Sequence, residues 1–183
     1  MSAILTKDQL DSYKEHGFLL IKNVIPDDVL TTVDHIIEPW TENMIDTWKQ
    51  EGLITDEQTG EGLDVNHRLL HAWREAGSPL FRRSPFRNFI REETYHLFRH
   101  PILLALAEEL LGTSEINLHG IFNHRVCLPG AWFTDTPWHQ DSQDMHLWSE
   151  PTPEEERFTH VVTMWMPLQK VTRENGCLQM ASL

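Results

Sequence analysis

The 183-residue chain carries 28 acidic against 15 basic side chains, a net charge of −13, which argues against the clustered Lys and Arg of a nucleic-acid groove. Its 40% hydrophobic content places it among globular proteins able to close one sizeable core, and no stretch reaches the length of a membrane span. Two cysteines, Cys127 and Cys177, provide neither a disulfide framework nor metal spacing, and the N-terminus lacks the apolar run of a signal peptide, so the expected compartment is the cytoplasm.

Thr6-Lys7-Asp8-Gln9 reads as a capping box, with Thr6 as N-cap and Gln9 at N3. It predicts a helix to His16, closed by Gly17 at the position that favours left-handed backbone. Residues 18–22 form a short apolar strand candidate. Pro26-Asp27-Asp28 opens a second helix, with proline early and acids in the first turn where the helix dipole favours them. Val29, Val33, Ile36, Ile37, Trp40, Met44 and Trp48 recur at helical spacing and mark a core-facing stripe. Pro39 predicts a kink in that helix or the end of its first part.

Residues 52–62 are acidic and contain glycine, a loop with no recognisable chemistry. Residues 69–76 predict a short helix closed by Gly77-Ser78-Pro79. Residues 86–100 and 102–111 read as helices separated by Pro101, the second stopped by Gly112. Arg82, Arg83, Arg87 and Arg91 are the densest basic cluster. On a helix the last three share a face, which is either an anion site or a solvated surface. From there the pattern changes. Residues 118–128 are rich in β-branched and apolar side chains and end at the turn pair Pro129-Gly130; residues 158–168 repeat the pattern. A turn at residues 173–176 leads into a third strand candidate, residues 177–183. Helices first and strands afterwards predict an α+β fold.

Between the first two strand candidates lies Trp138-His139-Gln140-Asp141. On a strand, His139 and Asp141 point to one face, because side chains alternate with period two. One imidazole and one carboxylate make two thirds of the 2-His-1-carboxylate triad that holds non-haem Fe(II). The triplet alone is equally a strand-end histidine beside a surface aspartate. Its setting among strands joined by turns favours ligands that point inward.

Here the sequence resembles the phytanoyl-CoA dioxygenase family of Fe(II)/2-oxoglutarate oxygenases. The matching pieces are Thr136-Pro137-Trp138-His139-Gln140-Asp141, the run Val162-Thr163-Met164-Trp165-Met166-Pro167-Leu168, and Glu174-Asn175-Gly176-Cys177-Leu178-Gln179-Met180. The opening, with His16-Gly17-Phe18-Leu19-Leu20-Ile21, is similar too. The resemblance implies a double-stranded β-helix, or cupin-like jelly roll, here incomplete, with the N-terminal helices packed on it. It makes the chain a single domain, helical over 1–112 and jelly-roll over 113–183. It further implies His139 and Asp141 as iron ligands, and 2-oxoglutarate and O2 as co-substrates, with hydroxylation of a small organic substrate and release of succinate and CO2. Trp165 matches a tryptophan near the co-substrate, or else fills core, and Asn123 falls at another co-substrate position. Cys127 stands where relatives often carry lysine. The acidic charge fits a polyanionic CoA thioester poorly.

Two of the family's parts have no match: the distal histidine, which follows the Cys177–Met180 strand by several tens of residues, and the cation that pairs with the co-substrate's distal carboxylate. On a strand His146 lies about 16 Å from Asp141, and His160 is the better substitute ligand. These gaps predict that the chain is the N-terminal part of an oxygenase and inactive alone. The alternative is a non-catalytic interaction module that retains half of the fold and forms oligomers through exposed strand edges.

Overall fold

A computed structural model describes residues 3–81, 92–118, 124–131, 137–139, 141 and 161–182. The element order is α1 (Lys7–His16), α2 (Asp27–Gln50), a 3₁₀ turn (Asp56–Gln58), α3 (Val65–Glu75), α4 (Glu92–Phe98) and α5 (Pro101–Leu111). None of these helices is long and apolar enough to cross a membrane.

The local signals decide most helix ends. The Gln9 N–H donates to the Thr6 hydroxyl at 3.2 Å, and the Gln9 side-chain oxygen accepts from the Thr6 N–H at 2.8 Å. Gly17 ends α1 in left-handed backbone, φ 77°. Pro101 occupies the first turn of α5, where its missing N–H costs nothing. Pro39 does not end α2, which runs through it for 24 residues. The lost backbone bond is outweighed by the apolar stripe on either side, where Val29, Val33, Ile36, Ile37, Ile45 and Trp48 are all buried. The third helix starts earlier than residue 69, because Asp64 caps it by accepting from the N–H groups of Asn66 and His67.

Helix α2 serves two apolar clusters. Its C-terminal half meets α3 and the segment 124–131 through Ile45, Trp48, Leu69, Ala72, Trp73, Leu128 and Ala131. Its N-terminal half meets α4 and α5 through Val29, Val33, Ile36, Leu97 and Leu103. Trp40 touches both clusters. Arg68 ties α3 to α2 by pairing with Glu42, and its Nε donates to the Thr59 carbonyl at 3.3 Å. The N-terminal segment is held by Glu109 of α5, whose two carboxylate oxygens accept from the N–H groups of Ile4 and Leu5 at 2.7 and 2.8 Å.

The incomplete jelly roll expected from the sequence is corrected here: the described residues are helical, and none of them forms a paired strand. Residues 18–22, 161–168 and 177–182 carry the strand pattern without a ladder. Segment 161–168 shows why. Its burial alternates, with Val162, Met164, Met166 and Leu168 turned inward and Val161, Thr163, Trp165 and Pro167 turned out. Met164, Met166 and Leu168 rest on the α2–α4–α5 cluster. A period-two pattern reports that an extended chain buries one face. A helical face satisfies it as well as a neighbouring strand does.

Two interior polar groups stand out. The Thr94 side chain is 2% exposed and its hydroxyl has no hydrogen-bond partner among the described residues. His124 sits edge-on to Trp40, ring centroids 5.3 Å apart, and burial pushes its imidazole down from 6.5 to about 4. We predict that Thr94→Val, which keeps the shape and removes the unpaired hydroxyl, raises stability by about 1 kcal/mol in urea unfolding. Thr94→Ser, which keeps the hydroxyl and loses a methyl, should cost about 1 kcal/mol. A less stable Val variant would mean the hydroxyl is engaged. The His124 contribution has a defined sign. Between pH 6.5 and 4 the unfolded chain binds the proton and the folded chain does not. Its stabilisation is therefore complete above pH 6.5 and falls as the pH drops, by about 2 kcal/mol at pH 5. Unfolding midpoints at pH 7 and pH 5 should converge in His124→Phe; an unchanged difference would remove His124 as the cause.

Candidate metal centre

His139 and Asp141 do come together, but not on a strand. The chain bends at Trp138 and turns helically at Asp141. The His139 Nε2 lies 3.2 Å from the Asp141 Oδ1. Both side chains face solvent, 34% and 48% exposed. On its other side, His139 Nδ1 lies 2.8 Å from the Pro137 carbonyl oxygen.

These two distances define the chemistry. A carbonyl oxygen only accepts, so Nδ1 must carry the hydrogen of that bond. By the same rule Nε2 faces an acceptor as well, the carboxylate oxygen 3.2 Å away, so both ring nitrogens point at electron-rich oxygens. Two electron-rich atoms at 3.2 Å repel unless a cation, either a proton or a metal ion, lies between them. Adjacent ligands at right angles on a metal, each bonded at about 2.1 Å, stand about 3 Å apart. The pair therefore fits two neighbouring positions on one ion, and an imidazole with a carboxylate suits Fe(II). Among the described residues no third His, Cys, Asp or Glu joins them.

The other expected site residues are dispersed or lie elsewhere. Trp165 is on the outward side of segment 161–168, 43% exposed, with no hydrogen bond or ring contact to the pair. Asn123 lies outside the described residues, as do His146, His160 and the arginines at 82, 83, 87 and 91. Cys127 is exposed and touches the turn at residues 172–177: a Cβ built on Gly176 would stand 3.5 Å from the Cys127 Cβ. That turn is closed by the Cys177 N–H donating to the Thr172 carbonyl at 3.0 Å, and by Asn175, whose Oδ1 accepts from the Thr172 N–H at 2.6 Å. Trp138, 71% exposed beside the pair, is the most solvent-open tryptophan of the described residues.

Sequence reasoning missed the Pro137 carbonyl. Every residue has a carbonyl, so nothing in the residue types marks this one. The only trace is a proline two positions before the histidine, which narrows where the carbonyl can point.

Comparison with known proteins agrees with the motif. The family model described as phytanoyl-CoA dioxygenase matches residues 13–181. A curated relative, the peroxisomal phytanoyl-CoA dioxygenase of Mus musculus, is 25% identical over 179 residues. That alignment covers 96% of this chain and 46% of the relative, so the chain spans about half the relative's length. No solved structure matches the chain.

Proposed function

Since the chain belongs to the phytanoyl-CoA dioxygenase family, whose members are Fe(II)- and 2-oxoglutarate-dependent oxygenases, we propose that it provides the His139–Asp141 half of such an oxygenase's iron site. The observation that carries this reading is the 3.2 Å approach of the His139 Nε2 to the Asp141 Oδ1. Bound iron would supply oxidative decarboxylation of 2-oxoglutarate to succinate and CO2, with O2 as oxidant and hydroxylation of a small organic substrate as the coupled outcome. The protein's own work is positioning. His139 and Asp141 would hold the ion, with the metal-bound imidazole donating its Nδ1 hydrogen to the Pro137 carbonyl. Trp165 and Asn123 are the residues proposed to neighbour the co-substrate. A third ligand and a cation for the distal carboxylate of 2-oxoglutarate have to come from residues other than those gathered at the pair. The 183-residue chain by itself is therefore proposed to hold metal weakly and to turn over essentially nothing.

Two measurements test this. In Co(II) titrations followed by absorbance, His139→Gln and Asp141→Ala are each expected to weaken binding at least about tenfold. Unchanged affinity in both variants would sink the metal reading. Succinate release with Fe(II) and 2-oxoglutarate is expected to be at background for the chain alone. Turnover that disappears in Asp141→Ala would instead show that the chain completes its own site.

A further inference from the structure

We propose that His67 and His71, on one face of α3, form a two-histidine chelate for a divalent late first-row ion such as Zn(II) or Cu(II). This site is separate from the His139–Asp141 pair and does not depend on how that pair is read.

Both residues lie within α3 (Val65–Glu75), four positions apart. Side chains at i and i+4 stand one above the other on a helix, with Cβ atoms about 5–6 Å apart. Two imidazole nitrogens bonded to one ion at about 2.0–2.1 Å stand about 3 Å apart. Histidines one helical turn apart can close to that gap, which is why the spacing recurs in zinc sites. With 11 histidines in the chain, spacing alone does not make a site. Two contacts add to it.

The first holds His67. Its Nδ1 lies 2.5 Å from the Asp64 Oδ2. The other oxygen of that carboxylate is fixed by the helix, because Oδ1 accepts from the N–H groups of Asn66 and His67. With Nδ1 taken up by Asp64, Nε2 is the nitrogen available to an ion. A carboxylate on the far nitrogen is a common support of ligating histidines. The second contact seats His71. Its Cδ2 lies 3.0 Å from where a Cβ on Gly60 would stand, so the ring rests in room that only glycine leaves. The Cδ2 edge faces the loop, and Nδ1 is on the opposite edge of the ring. That loop is tied to α3 by Arg68, whose Nε donates to the Thr59 carbonyl while its guanidinium pairs with Glu42 of α2.

Among the described residues no three His, Cys, Asp or Glu side chains converge on one point. The protein therefore supplies two ligands and water fills the other positions, with Asp64 acting on the ring rather than on the ion. Imidazole donors suit Zn(II), Cu(II) and Ni(II), whereas Mg(II) and Ca(II) require oxygen. A bound ion links the first turn of α3 to the next and so stabilises the folded chain.

The test is Zn(II) binding by His139→Gln, in which the other pair is broken, followed by calorimetry and by the thermal melt. One equivalent is expected to bind and to raise the melting temperature. Adding His67→Gln or His71→Gln should weaken binding at least about tenfold and remove the melting shift. His96→Gln, on α4, should leave both unchanged. Asp64→Asn keeps a capping oxygen and loses the charge behind His67; it should weaken binding about tenfold with the helix content of the parent. If His71→Gln loosens the fold, His67→Gln still decides, since that side chain is 61% exposed. Equal Zn(II) affinity with and without the His67 substitution would overturn the chelate. An equal loss in His96→Gln would overturn it too, because the ion would then be meeting scattered surface imidazoles.

Discussion

The structure depends on burying both ends of α2 at once. Helices in proteins draw most of their stability from packing rather than from propensity, and Pro39 in the interior of α2 removes a backbone bond as well. It persists because its two halves are covered by different partners, α4 and α5 at one end, α3 and segment 124–131 at the other. Trp40, which directly follows the proline, contacts both clusters. The weakest point of the backbone is therefore bridged by the largest side chain available. Elements that carry no helix of their own, segments 124–131 and 161–168, are placed by which of the two clusters they cover.

That dependence explains what could be read from the residues and what could not. Helix termini were legible because capping is local: Thr6 with Gln9, Gly17, Pro101 and Gly112 need no tertiary knowledge. The α2 stripe was legible because periodicity directly reports a buried face. The start of α3 was missed although Asp64 is a good cap, because a single apolar residue, Val65, precedes Leu69 in its first turn. The strand expectation failed for a different reason. Alternation at 161–168 was real, but lateral pairing is a property of two segments, and no single-segment pattern contains it.

The metal pair divides in the same way. That His139 and Asp141 meet followed from their spacing, and their residue types suggested the ion. The route was different: spacing two suits a strand, yet here the chain bends at Trp138 and is helical at Asp141. Short spacing constrains proximity under several backbone geometries, which is why the two side chains meet although the strand expected to carry them is absent from the described residues.

On the proposed reading of His139 and Asp141 as iron ligands, their openness sets the remaining requirement. Water competes for both the ion and its ligands, and a hydrogen-abstracting reaction needs a site from which water is excluded. With the His139 and Asp141 side chains one third to one half exposed and Trp138 more so, two ligands alone meet neither demand. Whatever supplies the third ligand must therefore also cover this face, so ligand completion and desolvation are one event rather than two. Trp138 is placed to take part in it. An indole beside the pair offers a large apolar surface to the covering group while its N–H keeps a polar outlet.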